Sequence, residues 1–117
     1  MLVIGNAFSV SMLKETSFVY FKQIDLNEVK EIINLEPEKV KSIIGHDGTA
    51  KLFSQLLEID LPKNKEFYQS QPGDLLIVGN INQRLPDGKI LSYEETKELE
   101  ITWWVIVILK RGRIRWW

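Results

Sequence analysis

Two kinds of apolar spacing divide this chain. Compact apolar runs fenced by turn residues occur at Leu2-Val3-Ile4-Gly5, at 17–24 (Ser-Phe-Val-Tyr-Phe-Lys-Gln-Ile), at Leu75-Leu76-Ile77-Val78 and at 102–109, and each predicts a strand. The run at 75–78 lacks polar alternation, which predicts burial on both faces. Helical spacing occurs twice. Val29, Ile32 and Ile33 form one buried stripe behind Asp25-Leu26-Asn27-Glu28, a capping-box pattern, with Pro37 beyond the end. Ala50, Leu52, Phe53, Leu56 and Leu57 form a second stripe, with Gly45 as the turn residue ahead of it and Asp47 as the expected N-cap.

Shorter signals fill the intervals. Ser9 is placed to cap a helical turn carrying Met12 and Leu13, and residues 40–44, ambiguous in pattern, read best as a short strand feeding Gly45. Lys63-Asn64-Lys65 leads into an expected strand at 66–70, and Pro72-Gly73 marks a turn. Pro86-Asp87-Gly88 marks another turn, and Ser92-Tyr93-Glu94-Glu95 opens a short helix with a capping box. Strands and helices alternate irregularly, so the expected fold class is α/β: a single domain over 1–117 with a mixed central β-sheet flanked by helices. Residues 110–117 form a basic and aromatic C-terminal extension.

Composition narrows the function classes. At 117 residues, 44% hydrophobic and 26% charged, the chain is an ordinary globular domain with room for one core. No apolar run approaches the ~18 residues of a membrane span, and the N-terminus has no basic lead-in to an apolar stretch, so a cytoplasmic protein without membrane contact is expected. There is no cysteine and one histidine, so no metal and no cofactor is expected. A net charge of −1 and a pI of about 5.9 argue against coating long DNA or RNA, but not against a small anionic ligand.

The candidate chemistry centres on that histidine. His46 lies in Ile44-Gly45-His46-Asp47-Gly48-Thr49, at the mouth of the second helix. Free backbone N–H groups and the positive end of the helix dipole make such a place suited to a phosphate. Two more polar clusters, Asn6 to Ser9 and Gln83 to Gly88, also lie at strand ends or helix starts, where open α/β sheets bind ligands. Arg84 would grip a phosphate through two N–H groups, and Lys63 and Lys65 would guide it. The plain alternatives are a polar loop residue for His46, a helix cap for Ser9, a turn residue for Asp87 and a surface charge for Arg84.

Taken together, these clusters resemble the viral anti-CRISPR ring nuclease family of type III CRISPR systems and its cellular relatives. The likeness rests on Asn6-Ala7-Phe8-Ser9 followed by Met12-Leu13, on Ile44-Gly45-His46-Asp47 with Thr49, on the leucine-rich helix at 50–57, on Lys63-Asn64-Lys65, and on Gln83-Arg84-Leu85 with Asp87, Gly88, Lys89 and Leu91. It covers roughly residues 1–108. The resemblance implies a metal-independent enzyme that degrades the second messenger cyclic tetra-adenylate, acting as a homodimer with the ligand site at the subunit interface. It implies that His46 is catalytic, that Arg84 binds phosphate in the active site, and that Asp87 belongs there too. Asn6, Ser9, Asp47, Gly48, Thr49 and Gln83 match positions lining the pocket, with Lys65 as a further substrate contact.

This chain also departs from the family pattern. Asp87 stands where glutamate is usual, Gly48 where serine is common, and Lys65 where arginine is frequent, which loses bidentate geometry. The tail Arg111-Gly112-Arg113-Ile114-Arg115-Trp116-Trp117 extends beyond the pattern; it reads as a continued edge strand packed by its tryptophans, with a pocket cover or a wider dimer contact as the alternative. These departures keep two further classes in view: a module that sequesters or senses a cyclic oligonucleotide without cutting it, and a regulator that binds DNA or RNA through the tail, which the acidic pI opposes.

Overall fold

The structure is a computed structural model that describes residues 1–82 and 100–110. Its elements, in chain order, are β1 (Leu2–Gly5), a 3-10 turn (Val10–Met12), β2 (Ser17–Ile24), α1 (Leu26–Leu35), a second 3-10 turn (Pro37–Lys39), β3 (Val40–Ser42), α2 (Asp47–Leu57), β4 (Leu75–Ile81) and β5 (Ile101–Lys110). The described strands form one sheet in the order β2-β5-β4-β1-β3. β1 runs parallel to both β3 and β4, with Leu2 opposite Val40 and Leu75. β5 is antiparallel to β4 and to β2, Ser17 facing Lys110 and Ile24 facing Trp103. The sheet is therefore mixed, as expected, and strands form at each expected place (2–5, 17–24, 40–44, 75–78 and 102–109), the third shortened to Val40–Ser42 and the last two somewhat longer.

Strand alternation sorts the core into two sides. Ile4, Ile77 and Trp103 meet Val29 and Ile33 of α1 and Ala50, Leu52, Phe53 and Leu57 of α2 on one side of the sheet. Val3, Leu76, Val78 and Ile106 gather with Tyr68, Phe8 and Met12 on the other, where loops replace helices as the cover. Phe53 is fully buried, and its ring lies 4.9 Å from that of Trp103. Burial of a side chain of that size contributes about 1.5–3 kcal/mol. That contact explains Gly79 of β4, where a Cβ would come within 2.6 Å of Trp103 and 2.7 Å of Phe53. Only a glycine lets the two rings close over the strand.

Local chemistry sets the boundaries. Asp25 caps α1 by accepting from Glu28 N, and Glu28 returns the bond to Asp25 N, the reciprocal pair its spacing predicts. Ser9 caps the first 3-10 turn through Ser11 N. Gly73 turns with φ +86° after Pro72.

Residues 66–70, expected to be a strand, join no ladder. Their backbone is satisfied by other means. Asn64 Oδ1 accepts from Glu66 N, Asn64 N donates to Ile44 O, and Ser70 N donates to Met12 O. The segment is pinned across the loop-covered side as irregular chain, with Tyr68 as its buried anchor. The turn at 86–88, the helix opening at Ser92 and the tail at 111–117 lie outside the described residues. Among the described residues, no helix is long and apolar enough to cross a membrane.

Candidate functional site

Because β1, β3 and β4 are parallel, their C-terminal ends share one edge of the sheet, where the chain leaves β1 into Asn6 and β3 into Ile43 to His46. Ile43 N donates to Ile4 O across 2.9 Å, which holds the two exits side by side. This places the Asn6 to Ser9 cluster next to the histidine cluster, though they are distant in sequence. The Lys65 stem also comes to this place, its Cγ 3.7 Å from where a Cβ on Gly45 would lie. Asn64 is tied there by its side-chain N–H to Ser42 O. Gln83, Arg84 and Asp87 lie outside the described residues, so the structure locates neither the guanidinium nor the second carboxylate.

The entrance to α2 corrects one expectation. The N-cap is His46, with extended φ −123° and ψ 131°, and Asp47 is the first helical residue. The first bond within the helix runs from Ala50 N to His46 O. The His46 side chain makes no capping bond, so the amides of Asp47, Gly48 and Thr49 are not closed off as those of α1 are. Asp47 misled the sequence reading because an acid suits both the cap and the first turn. Gly45 has no positive φ, so its turn role does not need a glycine.

Exposure separates the roles. His46 and Asp47 are exposed, Asn6 and Gly48 half-buried, and Ser9 and Lys65 exposed. Thr49 differs: it is 6% exposed, and its hydroxyl makes no hydrogen bond to a described residue. Buried hydroxyls without partners are costly and uncommon. One here, in the first turn of an uncapped helix beside an exposed histidine, suits a site built to receive an acceptor-rich ligand. Ser9 is already engaged, capping its own turn and bonded to Ser11 Oγ at 2.9 Å.

Further polar groups at the same end were not singled out in the sequence. Asn80, on β4, donates to Asn82 Oδ1 at 3.0 Å, and Asn82 donates to Thr102 Oγ1 at 3.0 Å. Asn80 also lines an open hollow of ≈ 600 Å³ with Ala7, Phe8, Phe21, Val78, Trp104 and Ile106. Phe21 meets Phe8 edge-to-face at 5.5 Å and Trp104 at 6.5 Å.

At the opposite end of the parallel strands lie two more hollows, ≈ 360 and ≈ 510 Å³, that share Lys14, Tyr68, Gln71 and Asp74. Several of their polar groups are engaged with one another. Asp74 Oδ2 accepts from Tyr68 OH at 2.6 Å and from Gln71 N at 2.9 Å, with the Met1 ammonium 3.5 Å from Oδ1. Burial pushes the Asp74 carboxyl upward, but the phenol, the Gln71 N–H and the ammonium together hold it below its ordinary value. Burial and the neighbouring carboxylate push the Tyr68 phenol up. Lys41 is likewise paired with Glu66 at 2.9 Å, and that contact holds Glu66 below its ordinary value. This end is a structural brace.

Known proteins agree with this architecture. The family model described as STIV B116-like matches residues 2–103. The chain belongs to the STIV B116-like family. B116 of Sulfolobus turreted icosahedral virus superposes with a TM-score of 0.76 at 31% identity, over 90% of this chain and 97% of that one. ORF116 of Acidianus filamentous virus 1 is 32% identical over 95 residues, 80% of each chain. Protein 26 of Sulfolobus islandicus filamentous virus is 27% identical over 111 residues, 93% of this chain and 92% of that one. These B116-like relatives come from archaeal viruses and support a viral protein. None of their names carries an activity, so function is argued from the site.

Proposed function

We propose that this B116-like chain is a metal-independent ring nuclease that cleaves cyclic tetra-adenylate and so switches off type III CRISPR signalling in the cytoplasm of an infected cell. The observation that carries this reading is the exposed His46 side chain, unused as a cap, at an uncapped helix entrance whose first turn buries Thr49, its hydroxyl without a partner among the described residues. The resemblance of the Asn6, His46 and Gln83-Arg84 clusters to ring nucleases supplies the substrate.

The chemistry asks for few groups. An RNA phosphodiester carries its own nucleophile, the ribose 2′-OH. Holding it in line with the adjacent phosphorus supplies much of the rate. The 2′-OH gives up its proton to solvent as the 2′-O–P bond forms, the P–O5′ bond breaks, and the leaving 5′-oxygen takes a proton. His46 is assigned as that proton donor, a role worth about 10²–10⁴ in rate. The amides of Asp47, Gly48 and Thr49, with Arg84, offset charge building on the phosphoryl oxygens. Asn6, Ser9, Lys65 and Gln83 are assigned to holding the ring, and Asp87 to the active site. The products are linear di-adenylates ending in a 2′,3′-cyclic phosphate.

Symmetry bears on assembly. A ring of four equal nucleotides has a two-fold axis, and so does an isologous dimer. Aligning the axes sets two copies of His46 on opposite phosphodiesters. A homodimer with the ligand at its interface is therefore part of the proposal. The test is turnover of cyclic tetra-adenylate in EDTA by the parent and by His46→Ala. The proposal expects EDTA to leave the parent unaffected and the variant to bind the ring yet lose cleavage by orders of magnitude. Equal turnover by the two would refute the role of His46, and loss in chelator restored by a divalent ion would refute the metal-free route.

A further inference from the structure

We propose that residues 111–117 fold back as a strap into the hollow at the brace end of the sheet, setting tryptophan on its apolar floor and arginine against its acidic side. The described chain ends beside that hollow. β5 closes with Lys110 opposite Ser17, and Ser17 lines the hollow of ≈ 360 Å³ together with Glu15, Tyr68, Leu76, Ile106 and Ile108. Leu76 and Ile106 are buried in the sheet and Ile108 is half-buried, which makes the floor apolar. Glu15 is exposed, and its carboxylate has no ion pair among the described residues. An apolar floor beside a carboxylate without a cation suits a guest that brings both a large ring and a positive charge.

The segment beyond Lys110 matches the hollow in chemistry and in reach. Arg-Gly-Arg-Ile-Arg-Trp-Trp holds three of the chain's 15 basic groups and none of its 16 acidic ones, with two of its four tryptophans. Indole carries a large apolar surface to remove from water, and guanidinium pairs with carboxylate through two N–H groups. Gly112 has no Cβ, so the chain can reverse there at either sign of φ. The five residues after it span about 16 Å when extended, and Ile106 lies about 13 Å back along β5 from Lys110. The strap therefore reaches the floor with its last residues, the tryptophans. The His46 turn follows β3, three strands from β5 and at the other end of the parallel strands. Covering the histidine of the same chain would ask for more length than those residues have after a reversal. The inference is independent of the nuclease reading, because it draws only on the brace end and the tail.

The experiment compares the full chain with a chain ending at Lys110 by amide hydrogen exchange and melting temperature. The synthetic peptide Arg-Gly-Arg-Ile-Arg-Trp-Trp is then titrated into the shortened chain and into its Glu15→Lys variant. The expected result is faster exchange over 68–76 in the shortened chain, with 44–50 unchanged and melting temperature lower by about 5 °C. The peptide should restore the lost protection, and Glu15→Lys should weaken its binding by about threefold or more at low salt. Glu15 is exposed, so the variant should melt within a few degrees of the shortened chain, which separates weaker binding from misfolding. Unchanged exchange over 68–76 on shortening, or a peptide that does not bind, overturns the strap. A change confined to 44–50 overturns it too, and assigns the tail to the histidine turn. A second copy of the chain and an anionic lipid surface are the rival partners. If shortening turns a dimer into a monomer by light scattering, or abolishes binding to phosphatidylglycerol vesicles, while exchange at the hollow stays as it was, the tail faces outward and the strap is refuted.

Discussion

His46 occupies a position where serine, threonine, aspartate or asparagine would each close a helix end and stabilise it by about 1 kcal/mol. Its side chain forgoes that bond, which is what a chemical role at this position would cost in stability. His46→Ser is therefore expected to raise unfolding free energy by about 1 kcal/mol in a denaturant titration while abolishing cleavage; a destabilised variant would mean that His46 holds the loop together. Thr49 sets a similar contest. Thr49→Val keeps the shape and removes a buried hydroxyl that has no partner among the described residues, so stability should hold or rise. Affinity for cyclic tetra-adenylate should fall several-fold, one neutral hydrogen bond's worth by calorimetry. Falling stability with unchanged affinity would make Thr49 a core residue only. His46 stood out in the sequence because it is the lone histidine in a turn before a helix. Asn80 did not, because its setting depends on Asn82, on its partner Thr102 in the sheet, and on rings from Phe8, Phe21 and Trp104 that register alone brings together.

Elements were legible where a period or a cap specified them. The capping box at Asp25 and the stripe at Val29, Ile32 and Ile33 define α1, and the unbroken run at Leu75 to Val78 defines a central strand. Residues 66–70 were not, since Asn64 and Ser70 spend the backbone bonds that a strand would share with a neighbour. The same segment carries the brace to Asp74, which has a measurable pH signature. The carboxyl lies below its ordinary value when folded, so its contribution is present above the unfolded pKa of ~3.9 and is lost as pH falls through the lower folded value. Melting temperature should fall on acidification below about pH 4. Asp74→Asn should lower stability by about 1–2 kcal/mol at pH 7 and flatten that acid slope. A slope unchanged in Asp74→Asn would assign acid sensitivity to other carboxylates.

Across the described residues the candidate site lies at one end of the parallel strands and the bracing at the other. Three parallel strands deliver Asn6, the His46 turn and the bonded pair of Asn80 and Asn82 to a common edge, while Tyr68 and Asp74 tie down the far end. Sequence alone named most of the polar residues at that edge, but not their adjacency, which depends on β1 lying between β3 and β4. The two-fold symmetry of the proposed ligand would ask for two such edges facing each other. The most direct measurement is mass analysis of the products after the purified protein meets cyclic tetra-adenylate in EDTA. The account predicts linear di-adenylate bearing a 2′,3′-cyclic phosphate. An intact ring with a raised melting temperature would contradict cleavage and leave a sequestering module; an intact ring with no shift would contradict the ligand itself.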